Sequence, residues 1–119
     1  MSDPSGFLPL REATYFILLS LEPGAKHGYA ILKDVTALSL GRVELSTGTL
    51  YGALRRLDEQ SLIRRIDDPR PDGSERVRHV YELTGLGLHV IQAEAQRLET
   101  LLGAAQSRLR LAPRAEPSA

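Results

Sequence analysis

The segment at residues 46–63, STGTLYGALRRLDEQSLI, constrains what this chain can fold into more tightly than any other. Ser46 is a good helix N-cap, because its hydroxyl can accept a hydrogen bond from a first-turn backbone N–H that has no partner within the helix. Leu50, Leu54 and Leu57 then recur at four and three residues, the stripe of a helix packed on a core. The spacing predicts a helix over residues 47–60. Thr47, Tyr51 and Arg55 fall on a neighbouring line at four-residue spacing. That line reads either as a solvated face or as a surface inserted into a DNA groove. Ser46, Thr47 and Thr49 would then stand near phosphate at the helix start, with Tyr51 and Arg55 deeper in the groove.

The rest of the chain supplies a frame for this helix. Residues 1–9 hold two prolines, a glycine and two serines, and read as a flexible arm. Leu10, Ala13, Phe16, Ile17 and Leu21 predict a first helix over residues 10–21, broken by Pro23-Gly24-Ala25. A second helix is expected over residues 27–39, with Ile31, Val35 and Leu38 facing inward, and residues 43–45 as a short extended piece. Residues 62–67 and 76–83 read as antiparallel strands. In the second, Val77, His79, Tyr81 and Leu83 share one face. Residues 68–74 between them are rich in Pro, Asp and Gly, the chemistry of a turn. Thr84 caps a long final helix to about residue 110, and residues 111–119 read as a disordered tail. The resulting class is mainly α (α+β): a winged helix-turn-helix over residues 10–83, followed by a helix over residues 84–110.

That last helix carries its own signal. Leu88, Ile91, Ala95, Leu98, Leu102, Ala105 and Leu109 alternate at three and four residues, a heptad seam suited to packing along a partner helix. Homodimerisation through this seam is the expectation. The seam could also pack on the first helix of its own chain. Both can hold if the upper half packs internally and residues 98–109 face a second copy.

Charge makes the DNA reading demanding. Lysine plus arginine equal aspartate plus glutamate at 15 each, so formal net charge is zero. Residues 42–83 carry eight of each sign and are neutral as well. DNA contact then requires separation by face, with Arg55, Arg70, Arg76 and Arg78 toward DNA and Asp58, Glu59, Asp67 and Asp68 away. Arg76 and Arg78 could equally be edge-strand charges that discourage aggregation. Lys26 and His27, at the start of the second helix, are further candidates for phosphate contact.

The order S-x-G-T-L-Y-x-x-L-x-x-L, a short polar run and L-I closely resembles the recognition-helix signature of the PadR family of winged-helix transcriptional regulators. His27-Gly28-Tyr29-Ala30-Ile31 looks like the family's H-G-Y segment at the second helix. Arg78-His79-Val80-Tyr81-Glu82-Leu83-Thr84 resembles its strand leaving the wing, R-x-Y-x-L-T. The three segments stand in the family's order, and the likeness covers roughly residues 10–110. Thr47 stands where proline is common, Ser61 where glycine usually ends the recognition helix, and Gly85-Leu86-Gly87 where an acidic pair is usual. The resemblance implies a sequence-specific regulator, a repressor that binds an inverted-repeat double-stranded DNA operator as a homodimer. It also implies a small-molecule effector, often phenolic or drug-like, held near the dimer interface.

Other classes find little support. No Ser-His-Asp or Cys-His set can be assembled, so no enzyme activity is expected. His27, His79 and His89 lack metal-ligand spacing, and zero cysteines remove thiolate sites, so neither metal nor cofactor is expected. No apolar run reaches membrane-spanning length and no signal pattern opens the chain, which reads as a cytoplasmic protein. The competing class is a winged-helix module that binds protein rather than DNA, for which the neutral charge is the main support.

Overall fold

Apolar periodicity of 3.6 and 2.0 residues translates directly into helices and strands in this computed structural model, which describes residues 3–69 and 77–110. The helices are α1 (Glu12–Ser20), α2 (Gly28–Leu38), α3 (Thr47–Glu59) and α4 (Gly85–Leu109). The strands are β1 (Lys26–His27), β2 (Ile63–Pro69) and β3 (Val77–Leu83), an antiparallel sheet in the order β1-β3-β2. In the β2–β3 hairpin Ile63 stands opposite Leu83 and Asp68 opposite Arg78. This is the winged helix-turn-helix arrangement.

One core organises the elements. Ile17, Leu18 and Leu21 from the first helix region meet Ile31 and Val35 of α2, Leu50, Leu54 and Leu57 of α3, and Tyr81, Val90 and Ile91. Each such side chain removed from water contributes roughly 1.5–3 kcal/mol. Because α3 gives its leucines to this core, its opposite face is turned outward.

The helix ends are fixed by local chemistry. After α3, Ser61 N–H donates to Asp58 C=O at 3.0 Å and Leu62 N–H to Leu57 C=O at 3.0 Å, a Schellman closure. It needs a left-handed residue, and Ser61 supplies it with φ of 63°. Thr84 caps α4, its Oγ1 accepting from Gly87 N–H at 3.0 Å while donating to Ser61 C=O at 2.7 Å. A side chain at position 87 is impossible without movement, since a Cβ there would lie 2.1 Å from the Leu62 carbonyl oxygen.

Several expectations are corrected. Lys26 and His27 belong to a strand, not to the second helix, because their backbones pair with Tyr81 and Val80 of β3. Within the expected flexible arm, Pro4–Phe7 is a 3₁₀ turn capped by Asp3, which accepts from Ser5 N–H at 3.0 Å, and Phe7 and Leu8 pack on the core. The first helix starts at Glu12, two residues later than expected. Ahead of α3, Val43 N–H donates to Ser39 Oγ at 2.9 Å. In α4, Ile91 is buried and Leu88 packs against the core of its own chain. Asp68 and Pro69, expected in the turn, extend β2 instead, and the remaining turn residues 70–74, Arg76 and the tail over residues 111–119 lie outside the described residues.

Candidate nucleic-acid interface

The outward face of α3 starts from its cap. Ser46 Oγ accepts from Thr49 N–H at 3.1 Å and donates to Thr49 Oγ1 at 2.8 Å, so this pair of hydroxyls fixes the helix start. Thr47, Gly48 and Thr49 are all exposed beside it. Arg55, two turns on, is exposed, and among the described residues no carboxylate comes within ion-pair distance of it. Its guanidinium is therefore available for a base edge or a phosphate.

Tyr51 has a double role. It is 39% exposed, yet its ring lies against the first residue of α2. A Cβ at Gly28 would come within 2.4 Å of Tyr51 Oη, so only glycine admits this contact. Tyr51, Arg55, Asp58, Arg65, His79 and Tyr81 line a hollow of about 200 Å³ between α3 and the sheet. Burial, reinforced by Tyr51, Asp58 and Asp67 against the opposing effect of Arg65, pushes the Tyr81 phenol above its usual range. Tyr81 thus stays neutral across physiological pH.

Other cations around this surface are engaged. Lys26 pairs with Asp34, and Arg64 with Glu82. Arg65 Nε lies 3.6 Å from Asp67 Oδ1, and His79 Nδ1 3.0 Å from the same oxygen. His27 occupies the N-cap position of α2 without a side-chain cap. The backbone of Arg78 is in β3, on the wing hairpin as expected. Its side chain, and Arg70 and Arg76 altogether, lie outside what is described. The structure thus brings Thr47, Tyr51 and Arg55 onto one exposed surface and shows Lys26 already neutralised.

Two residues escaped the sequence reading. Tyr29 is 70% exposed at the start of α2, with Lys33 Nζ 5.5 Å from its ring centroid. Gly28, the residue before Tyr29, is the one that meets Tyr51 of α3. The signal was a tyrosine and a lysine at i, i+4 on the polar side of a helix from which only the inward stripe was drawn.

The lower half of α4 presents a second surface. Leu98, Leu101, Leu102 and Leu109 are exposed by 40–63%. Beside Leu98 a groove of about 310 Å³ opens between α1 and α4, lined by Tyr15, Phe16, Glu94 and Arg97 among others. Glu94, missed by sequence, is 1% exposed and doubly held: Leu10 N–H donates to Oε2 and Arg97 Nε–H to Oε1, each at 2.5 Å. Burial, with the Glu94 charge nearby, pushes the Tyr15 phenol up. Among the described residues no helix is long and apolar enough to cross a membrane, and no cluster of three or more His, Asp or Glu is placed to hold a metal ion.

In sequence and fold the chain is similar to known proteins. The family model described as "Transcriptional regulator PadR-like family" matches residues 17–93. An uncharacterized 37.1 kDa protein in transposon TN4556 of Streptomyces fradiae is 34% identical over 92 residues, 77% of this chain. The chain spans only 24% of that protein's length. Among solved structures, a PadR family transcription regulator from hypervirulent Clostridium difficile superposes with a TM-score of 0.69 at 24% identity, covering 83% of this chain and 99% of the other. A PadR-like transcriptional regulator from Bacillus cereus gives 0.66 at 20% identity, covering 91% and 96%. At such identities these two likenesses show the fold.

Proposed function

The chain belongs to the PadR-like family of transcriptional regulators, and from that premise we propose that it is a ligand-responsive repressor that binds an inverted-repeat operator as a homodimer. The observation that carries the reading is the exposed line of Thr47, Tyr51 and Arg55 on α3, capped by Ser46 and left with an unpaired arginine. Two copies related by a two-fold axis would set their α3 helices in successive major grooves, about one DNA turn apart. Lys26 and His27 lie on the approach to α2 and Arg78 in β3, with Arg76 just before it in sequence; phosphate contact is their role in this reading, which for Lys26 requires its pair with Asp34 to open. Leu98, Leu102, Ala105 and Leu109, joined by Leu101 and flanked by Ala95, form the contact between copies. The groove between α1 and α4 opens onto that contact, so an effector there would alter the separation of the two reading helices. Its action is a difference in affinity between two dimer states.

The test is selection of bound duplexes from a random pool, followed by affinity measurements on the selected site. Arg55→Ala is expected to cost about 1–3 kcal/mol and to relax preference at one position, and Tyr51→Phe to cost less. Both variants binding like the parent would remove α3 as the reading helix. The paired state of Lys26, Arg64 and Arg65 favours a second reading, a module that binds protein. Failure to select any duplex sequence at low salt is the outcome it requires.

A further inference from the structure

A different cavity lies on the other side of α3. A hollow of about 370 Å³ is enclosed by the N-terminal arm, the start of α1 and the last turn of α3. Its polar lining includes Arg11, Thr14, Arg56 and Gln60; Phe7 and Leu57 are part of its apolar floor. Arg11 and Arg56 are exposed, and among the described residues neither has a carboxylate within ion-pair distance. Most other arginines of the described surface are paired, as Arg42 is with Glu12 at 2.6 Å. Two guanidinium groups bordering one cavity give it a positive potential that favours an anion. Arg11 also occupies the N-cap position of α1 and makes no side-chain capping bond.

We infer that this cavity binds a small amphipathic anion, a carboxylate or comparable oxyanion carried on an apolar body. The charge is set by Arg11 and Arg56, which can grip an oxyanion bidentately. The body is set by Phe7 and Leu57, and the volume falls in the range of small-molecule sites. Inorganic phosphate satisfies the arginines but leaves the apolar floor wet. A cation of the same shape meets two like charges. The site adjoins the groove between α1 and α4, with which it shares Leu10, but its two arginines do not line that groove, and the proposal does not depend on DNA binding.

Calorimetric titration of the full chain with 2-naphthoate, inorganic phosphate and 2-naphthylmethylammonium tests the assignment. Naphthoate is expected to bind with Kd below about 1 mM, with phosphate and the ammonium compound at least roughly tenfold weaker. Arg11→Gln and Arg56→Gln should each weaken naphthoate by about fivefold or more, and the pair together should abolish measurable binding. Arg108→Gln, an exposed cation far along α4, should change nothing. No naphthoate binding, equal binding of the ammonium compound or of phosphate, or survival of binding in the double variant would each overturn the proposal. Amide shifts of the unaltered protein give a second measure: naphthoate should move Gln60 and Leu62 more than Arg97 and Leu98, and the reverse order refutes the site.

Discussion

A methyl group at position 28 is the smallest change expected to disturb the DNA-facing surface. The Cβ of Gly28→Ala would meet Tyr51 Oη at 2.4 Å and its Cζ at 2.8 Å, so the ring must swing away from α2. Operator affinity is expected to fall roughly tenfold, about 1.4 kcal/mol, with helical content unchanged by circular dichroism. Unaltered affinity would show that the placement of Tyr51 is immaterial. Ser61 is the opposite case. It holds φ of 63° at a position that a β-carbon disfavours, so Ser61→Gly should raise stability by about 1 kcal/mol in denaturant unfolding. A loss of stability would mean that the Ser61 side chain contributes more than its strain costs. The motif pattern flagged both positions, since glycine was present at one and missing at the other. Why position 28 demands glycine was not legible, because the reason is a side chain from another helix.

At the scale of elements, legibility followed length. α3 and α4 span several turns and announce themselves by periodicity, and the hairpin is marked by the alternation of β3 and the turn chemistry before it. β1 has two residues, too few for any period, and exists only because β3 offers it an edge. The 3₁₀ turn at Pro4–Phe7 was hidden by its proline and glycine, which resemble a linker until Phe7 and Leu8 find the core. The seam of α4 was visible, but where it passes from internal packing to solvent depends on where the core ends, near Glu94. Below that point Leu98→Asp with Leu102→Asp should convert a dimer into a monomer by light scattering. Each leucine buried at such a contact contributes roughly 1.5–3 kcal/mol, and the paired charges would face one another across the axis. Operator binding should then be lost although α3 is untouched, because a single half-site forfeits the effective concentration of the second. Gln96→Asp, on the other side of α4, should remain dimeric. An unaltered protein that scatters as a monomer at micromolar concentration would end the dimer reading.

For the whole molecule, zero net charge and the pairing of Lys26, Arg64 and Arg65 leave few cations for the DNA backbone. The logarithm of operator affinity should therefore fall gently with the logarithm of salt, with a slope of roughly −4 to −5, as for about five neutralised phosphates per dimer. A slope near −10 would mean that the ion pairs open on binding and release their cations to phosphate. The tie between Leu10 and Glu94 acts on a different axis, that of time. These two residues stand 84 positions apart, yet the amide of one is a hydrogen-bond donor to the buried carboxylate of the other. The arm precedes α4 in the chain, so this tie cannot close until the final helix has been made. Local pieces such as α3 and the hairpin can form early, since their contacts close short loops, whereas this one closes a loop of 84 positions. The arm is then among the last parts of the domain to settle, although its residues are made before those that hold it.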